Sequence, residues 1–209
     1  MIKIGIVGGI GVGKSYIAKK FGYPVFNADA EVSKIYRKSK KCFKKLKKTL
    51  SNHIFSFPIR RKELSKAVME NKNNVKKINK IVHPEVRLRM RKFLKKNKKK
   101  KAVVLDVPLL LEAKINNKRD IIVFVEAKKK EVNRRLKKRY NFNEKIFNKL
   151  KKLQLPLEIK KKKSNFIIKN NFKSLSIKKS VKILKKKILK NERSSPWYGN
   201  NRSFSKRGT

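Results

Sequence analysis

An apolar run followed at once by a glycine-rich segment opens this chain and restricts what it can fold into. Residues 2 to 7 read Ile-Lys-Ile-Gly-Ile-Val, and residues 8 to 15 read Gly-Gly-Ile-Gly-Val-Gly-Lys-Ser. The second segment matches the phosphate-loop pattern G-x-x-x-x-G-K-[ST], which lies between a buried strand and a helix. Its glycines let successive backbone N–H groups turn inward around a polyphosphate, and the helix start adds a positive dipole end. The sequence therefore predicts a site for a nucleoside triphosphate.

The motif gives its residues separate roles in holding a nucleotide and a metal ion. Lys14 supplies a positive point charge to the β- and γ-phosphates, and Ser15 supplies a hydroxyl ligand for Mg²⁺. The nucleotide-binding residues that we predict run without a gap: Gly9, Ile10, Gly11, Val12, Gly13, Lys14, Ser15 and Tyr16.

Short apolar runs alternate with segments of helical period along the rest of the chain. After the first strand, the runs predict strands over 24–27, 102–107, 121–125 and 165–168. The segments between them predict helices over 15–20, 31–48 (two helices), 60–69, 71–81 and 174–189, a helix starting near Pro84, and two basic helices within 128–153. This alternation predicts an α/β fold of the P-loop NTPase type, with a five-stranded parallel sheet flanked by helices. Functional residues are then expected at the carboxyl ends of the strands.

The charge balance of the chain is strongly basic, with 63 Lys and Arg against 13 Asp and Glu and a formal net charge of +50. Clustered cations of this kind bind nucleic acid through counterion release. Alternatively, lysine fills the solvated positions, as A/T-rich codons would give. Because the lysines are spread from Lys3 to Lys206, we favour the second interpretation and expect only weak, non-specific contact with nucleic acid.

The apolar and cysteine content bears on where the protein acts. No apolar stretch approaches the roughly 20 residues of a membrane span, and the first strand begins at Ile2, so we expect neither a membrane segment nor a secretory leader. Cys42 is the single cysteine, which excludes an intramolecular disulfide. The sequence therefore predicts a cytoplasmic protein.

Residues outside the phosphate loop discriminate between kinases, motors and GTP switches. The Asn-Lys-x-Asp motif with which GTPases read the base is absent from the sequence. Asp29, just after the second strand, either orients or deprotonates an acceptor hydroxyl or caps a helix N-terminus. Arg134, Arg135 and Arg139 either neutralise a transferring phosphoryl group or form a solvated helix face.

The ordered set of motifs resembles the dephospho-coenzyme A kinase family. The matching segments are the phosphate loop, Pro-Val-Phe-Asn-Ala-Asp at 24–29, His83-Pro84, Asp-Val-Pro-Leu-Leu-Leu-Glu at 106–112, Arg135 with Arg139, Gln154, and Phe-Ile-Ile-Lys-Asn at 166–170. They occur in the family's order, and the resemblance extends from Ile2 to about Leu189.

The resemblance implies ATP-dependent phosphorylation of the ribose 3′-hydroxyl of dephospho-coenzyme A, the final step of coenzyme A synthesis. ATP and Mg²⁺ are the implied nucleotide and metal. By the match, Asp29 is the base or orienting carboxylate and Arg139 a lid cation, while Lys14 keeps its role at the phosphates. The same match implies that the acceptor contacts Asp29, His83, Leu110 and Glu112. Asp106, which ends a central strand, either holds Mg²⁺ through water or is a capping carboxylate.

The resemblance also implies a domain organisation. Residues 1–191 form the kinase domain, with a helical substrate-binding insertion over about 37–101 and a lid over about 131–163. Residues 192–209 lie outside the resemblance, and their lack of apolar period predicts a basic, disordered tail.

Two positions depart from the family pattern, and two other functions compete with it. Asn27 stands where the family commonly has Asp, and Tyr16 follows Ser15 where Thr is usual. One alternative is another nucleoside or nucleotide kinase of the same fold, which would differ in its acceptor pocket. The other is a basic nucleic-acid-binding P-loop protein, which a contiguous basic stripe would favour.

Overall fold

The chain folds into a parallel sheet with helices on its faces and a separate group of helices. The computed structural model describes residues 1–138 and 142–194. Its elements in chain order are β1 (Ile2–Gly8), α1 (Lys14–Lys20), β2 (Val25–Asn27), α2 (Ala28–Lys38), α3 (Lys40–Thr49), α4 (Arg61–Glu70), α5 (Lys72–Lys96), β3 (Ala102–Asp106), β4 (Ile121–Glu126), α6 (Lys129–Lys137), α7 (Glu144–Lys152), α8 (Leu157–Lys162), β5 (Phe166–Lys169) and α9 (Ser174–Ser194).

Two compact units divide these elements. The sheet unit contains residues 1–25 and the described residues from 101 onward, and the helical unit contains residues 26–100. The predicted tail partly overlaps α9, which continues to Ser194, five residues beyond the predicted helix end. The remainder of that predicted tail, 195–209, lies outside the described residues.

The strand order β2-β3-β1-β4-β5 confirms the predicted five-stranded sheet. Strand β1 pairs in parallel with β3 on one side and β4 on the other, so that Gly5 lies opposite both Leu105 and Ile122. Strands β3 and β4 are buried almost throughout, as their continuous apolar runs predict for a sheet covered on both faces. The chain leaves β1 toward one edge of the sheet and later returns to its other side, so the topological switch point lies at the carboxyl end of β1.

Apolar stripes on three helices cover the sheet. Helix α9 contributes Ile177, Val181, Leu184 and Ile188, whose spacing of three and four residues places them on one side of the helix. Ile17 of α1, Phe21 directly after α1, and Val132 and Leu136 of α6 join the same core. These contacts hold α1 and α6 against the sheet.

The helical unit has a core of its own. Its buried members come from all four helices and the loop after α3: Ile35, Cys42, Leu46, Leu50, Ile54, Ile59, Ala67, Ile78 and Val82. Burial raises the pKa of the Cys42 thiol to about 11, so that this cysteine is a packing residue with little thiolate at neutral pH.

The prediction of a helix start at Pro84 is wrong. Helix α5 runs without a break from Lys72 to Lys96, with Pro84 in its interior. A proline there has no N–H to donate and its ring opposes the carbonyl of Lys80, which normally ends or kinks a helix. Val82 before the proline and Val86 after it both pack against the core of the helical unit. Tertiary packing on both sides of Pro84 therefore overrides its local preference.

Replacing Pro84 with alanine should stabilise the protein. Proline is about 3 kcal/mol less favourable than alanine inside a helix. Alanine also makes the unfolded chain more flexible, which lowers the stability gained by up to about 1 kcal/mol. We expect the free energy of unfolding, measured by urea denaturation, to rise by about 2 kcal/mol. Lys92→Ala, at an exposed site of the same helix, is the control and should change the free energy of unfolding by only a few tenths of a kcal/mol. A destabilised Pro84→Ala variant would contradict the expectation.

Candidate functional site

The phosphate loop occupies the switch point between β1 and α1. Its backbone enters the left-handed region at Gly11 (φ 84°) and at Gly13 (φ 89°), and Gly13 caps the N-terminus of α1. Residues with a Cβ rarely adopt this conformation. The glycine spacing therefore allows the chain to fold back above the start of α1, where the free N–H groups of a helix favour an anion.

The two left-handed glycines also lie where neighbouring elements leave little room (Gly11) or no room (Gly13) for a Cβ. A Cβ on Gly11 would stand 3.0 Å from Cδ2 of Leu136, and one on Gly13 would stand 2.5 Å from Nδ2 of Asn170. Helix α6 and the segment after β5 thus pack directly on the backbone of the loop.

Lys14 is the first residue of α1, and its side chain turns back across the loop. Its Nζ donates to the carbonyl of Gly9 at 2.6 Å and to that of Gly8 at 3.3 Å. Ser15 follows in the first turn of the helix and is exposed. The ammonium and the hydroxyl are therefore both at the loop, as the motif predicts.

A cavity of about 480 Å³ lies beside the loop. One wall is a stacked pair, in which the guanidinium carbon of Arg135 is 4.3 Å from the ring centroid of Phe172. The residues that line the cavity come from the loop, α1, the end of α6 and the segment after β5: Gly11, Gly13, Tyr16, Arg135, Lys138, Asn170 and Phe172. A cavity with flat stacking surfaces and cations suits an aromatic ring that is joined to a polyphosphate.

Tyr16, one of the two departures from the family pattern, forms part of this cavity. Its hydroxyl donates to Oγ of Ser174 at 2.8 Å, and Nζ of Lys20 lies 4.9 Å from the ring centroid. Because the Ser174 hydroxyl can also donate to the phenolate, this hydrogen bond is the main cause of a lowered pKa of Tyr16. The hydroxyl of Tyr16 thus joins α1 to the start of α9, and its side chain forms part of the cavity wall.

Asp106 ends β3, next to the strand that carries the loop. Leu105 pairs with Gly5, so Asp106 stands one residue further toward the carboxyl end of the sheet, and only 3% of it is exposed. In the described part of the chain the next helix after Asp106 is α6, which begins at Lys129. Residues 108–114, which follow Asp106 closely, form turns whose N–H groups a carboxylate can cap. The capping alternative for Asp106 and its role toward a metal ion therefore both stay predictions.

The structure assigns the helix cap near Asp29 to a different residue. Helix α2 begins at Ala28, three residues earlier than predicted, and Oδ1 of Asn27 accepts a hydrogen bond from the N–H of Ala30 at 2.7 Å. Asp29 is exposed in the first turn. The N-cap alternative for Asp29 is thus wrong. Asn and Asp cap helices about equally well, which explains how Asn27 replaces the usual Asp without loss of the helix start.

His83 belongs to the same unit as Asp29 and lies on α5. Burial, with a smaller contribution from the charge of Arg87, lowers the pKa of its half-buried imidazole. A cavity of about 650 Å³ is found in this helical unit, lined by residues of α3 and α5, and His83 is outside its lining. The predicted contact of His83 with an acceptor stays a prediction.

Two predicted acceptor contacts have packing or pairing roles in the sheet unit. Leu110 is fully buried and its side chain fills the space above Gly5. Oε1 of Glu112 accepts from the N–H of Leu155 at 2.9 Å and pairs with Nζ of Lys160 at 2.8 Å. Glu112 thus fastens the segment at the start of α8, and any contact of either side chain with an acceptor stays a prediction.

Sequence reasoning missed some residues of this site. Lys160 has 1% of its side chain exposed, and its Nζ also donates to Oε1 of Gln154 at 3.1 Å. Because it opens a run of four lysines at 160–163, no sequence signal separates it from its solvated neighbours. Asn170 was recognised only as part of a matching segment, and Phe172 not at all. Arg139, the predicted lid cation, lies outside the described residues.

The chain is similar to known proteins over most of its length. Residues 2–175 match the family model described as dephospho-CoA kinase. A dephospho-CoA kinase of Wolbachia pipientis is 38% identical over 170 residues, covering 79% of this chain and 87% of that protein. One of Bacillus thuringiensis is 32% identical over 193 residues, covering 89% and 96%. A crystal structure from Thermus thermophilus superposes with a TM-score of 0.70 at 28% identity, covering 91% of this chain and 97% of the other.

Breaking the pair of Glu112 and Lys160 should destabilise the protein strongly. Removing one partner of a buried ion pair costs about 3–5 kcal/mol because the other charge is left unpaired. We expect Lys160→Met to lower the free energy of unfolding by this amount, and the double variant Glu112→Gln/Lys160→Met to recover part of it.

An exposed pair provides the control for this experiment. Glu131 and Arg134 form an ion pair at 2.8 Å with 36% and 64% of their side chains exposed, and Glu131→Gln should cost under about 1 kcal/mol. A double variant as unstable as the sum of its singles would show that the two charges act independently.

Proposed function

The chain belongs to the dephospho-CoA kinase family, and we propose that it transfers the γ-phosphoryl group of ATP to the ribose 3′-hydroxyl of dephospho-CoA. The product is coenzyme A, so the reaction is the final step of its synthesis. The observation that carries this proposal is the phosphate loop at the switch point, with Lys14 across it and a stacking cavity beside it. That arrangement supplies a triphosphate site and a nucleobase site next to each other.

The ATP side of the reaction uses the loop and its cavity. Backbone N–H groups of the loop and the start of α1 hold the phosphates. Lys14 exchanges its carbonyl partners for the β- and γ-phosphates and stabilises the negative charge there. The adenine stacks against the pair formed by Arg135 and Phe172.

Mg²⁺ is the metal that the donor set fits. Ser15 offers a hydroxyl and Asp106 a carboxylate, and hard oxygen ligands of this kind suit Mg²⁺. Within the described ranges there is no group of three or more His, Cys, Asp or Glu side chains that could hold a metal ion. This agrees with an ion that keeps several waters and is bound mainly by substrate phosphates. When bound, it would neutralise charge on the β- and γ-phosphates.

The acceptor side of the reaction depends on Asp29. The 3′-oxygen of the ribose forms a bond to the γ-phosphorus, while the bond from that phosphorus to the β-phosphate oxygen breaks and ADP leaves. The hydroxyl proton passes to the carboxylate of Asp29, which is exposed in the first turn of α2. Arg139 neutralises the transferring phosphoryl group, and His83, Leu110 and Glu112 complete the acceptor contacts.

The domain assignments and the location follow from the same proposal. The helical unit, together with the predicted range 37–101, is the substrate-binding insertion, and residues 131–163 are the lid. None of the described helices is long and apolar enough to cross a membrane. We propose a cytoplasmic enzyme whose dispersed lysines give weak, non-specific contact with nucleic acid and speed the arrival of its polyanionic substrates.

Lys14→Ala should abolish phosphoryl transfer and leave the fold intact. The ammonium contacts loop carbonyls rather than the core, and it is the group proposed to bind the phosphates. We therefore expect less than about a tenth of wild-type turnover and an unchanged melting temperature. The assay is ADP release with dephospho-CoA, compared with a nucleoside and a nucleoside monophosphate as acceptors. Lys19→Ala, at an exposed site of the same helix, is the matched control. Faster ADP release with another acceptor would favour a different nucleotide kinase.

Asp29→Asn should separate a catalytic carboxylate from a structural one. An amide preserves the shape of the side chain but cannot accept the hydroxyl proton, so turnover should fall by about 10²–10⁴-fold. Because Asn27 provides the helix cap, stability should change only by the helix-dipole contribution of about 0.3–1 kcal/mol. Melting temperature and kcat are measured on the same preparation, and a wild-type kcat would remove Asp29 from the mechanism.

A further inference from the structure

Asn170 joins the phosphate loop to the stacking cavity through its side-chain amide. It follows β5 directly, and its backbone N–H donates to the carbonyl of Glu126 at 2.7 Å, which fixes it at the end of β4. Its Nδ2 donates to the carbonyl of Val12 at 2.7 Å, and its Oδ1 accepts from the N–H of Phe172 at 2.8 Å. Only 5% of Asn170 is exposed, so both bonds are shielded from water.

The bond to Val12 determines how one peptide group of the loop is oriented. In a trans peptide the C=O and N–H groups point in opposite directions. With the carbonyl of Val12 held by Asn170, the N–H of Gly13 points away from Asn170. Gly13 lies in the left-handed region, and a Cβ there would stand 2.5 Å from Nδ2 of Asn170. The absence of a side chain at Gly13 therefore permits the contact that orients this peptide.

The hydrogen bond between Oδ1 of Asn170 and the N–H of Phe172 holds the backbone of the segment after β5. Phe172 has a φ of 61°, a left-handed conformation that is uncommon for a residue with a large side chain. An Asn side chain that accepts a hydrogen bond from the N–H two residues later forms an Asx-turn, which stabilises such a backbone. The ring of Phe172 then stacks with Arg135 in the cavity.

We propose that Asn170 is a positioning residue that holds the Val12–Gly13 peptide with its N–H directed at the bound phosphates, and that sets the stacking platform with the same amide. The inference rests on the proposed function in taking the loop as the site of the nucleotide. The proposed role of Asn170 is in phosphate binding by the loop. If Asn170 only contacted the base, its replacement would leave phosphate binding unchanged.

Inorganic tripolyphosphate, a ligand without a base, tests this inference. A hydrogen bond to a charged group is worth enough that losing one well-aligned N–H should weaken binding by about tenfold or more. We expect Asn170→Ala to bind both ATP and tripolyphosphate at least about tenfold more weakly than wild type in calorimetric titrations. Phe172→Leu, the matched control, should weaken ATP binding and leave tripolyphosphate binding unchanged. Loss of ATP affinity with wild-type tripolyphosphate affinity in Asn170→Ala would overturn the proposal.

A second variant separates the two hydrogen bonds of the amide. The hydroxyl of Asn170→Ser can still accept from the N–H of Phe172, as in an ST-turn, but is too short to reach Val12. It should bind tripolyphosphate as weakly as Asn170→Ala. Wild-type affinity in Asn170→Ser would show that the turn matters and that the bond to Val12 does not.

A spectroscopic measurement distinguishes positioning from general loss of stability. The chain has eight glycines, so ¹⁵N-glycine labelling gives a sparse spectrum in which Gly13 can be followed. We expect its amide resonance to shift when tripolyphosphate binds to wild type and to shift little in Asn170→Ala. A full shift in the variant would overturn the proposal, whatever the melting temperatures of the free proteins.

The strongly basic surface requires one further control. Titrations at roughly 0.3 M salt screen exposed lysines, and Lys19→Ala, at an exposed site of α1, should bind tripolyphosphate as wild type does. If wild type binds ATP but does not transfer phosphoryl to dephospho-CoA, the proposed function fails, while the comparison of Asn170 variants, which measures binding alone, still decides the present inference.

Discussion

The direct packing of neighbouring elements on the backbone of the phosphate loop is the constraint on which the site depends. Asn170 from the end of β5 approaches Gly13 so closely that a Cβ there would clash, and Leu136 from α6 leaves only a tight fit at Gly11. A loop of bare backbone is flexible when isolated. Here the sheet, α6 and the segment after β5 surround it, so its N–H groups are ordered before a nucleotide arrives. Binding of the phosphates then causes a smaller loss of conformational entropy in the loop.

The elements with strong sequence signals could be predicted, and those decided by tertiary packing could not. The central strands are continuous apolar runs, and the loop motif defines the turn between β1 and α1, so their placement follows from local sequence. Pro84 carries a strong local signal that the structure overrides, because Val82 and Val86 pack on one core. Asn27, two residues before Asp29, provides the N-cap of α2. Asn and Asp side chains both compete for free backbone N–H groups, so the sequence alone does not decide which of the two caps the helix.

Charged residues were the hardest part of the site to interpret from sequence. When nearly every solvated position is lysine, the few lysines with a defined partner carry no distinguishing pattern. Lys160 differs from the three lysines that follow it only in being enclosed by Glu112 and Gln154. Glu112 was recognised as important through its motif, but its partner could be found only from the three-dimensional structure. The acidic residues, of which the chain has 13, are therefore more informative about the site than its cations.

The crowding around the glycines has a consequence for how this sequence can change over generations. A composition rich in Lys, Asn and Ile is what A/T-rich codons favour. Glycine codons begin with GG, so the same codon bias disfavours glycine. Six of the eight glycines, Gly5, Gly8, Gly9, Gly11, Gly13 and Gly22, fall within the first 22 residues. At Gly5, Gly8 and Gly13 an added methyl group would stand within 2.6 Å of a neighbouring atom, and at Gly11 it would stand 3.0 Å away. The steric limits around β1 and its loop therefore oppose replacement of these glycines, whereas a solvated lysine can be gained or lost without a clash.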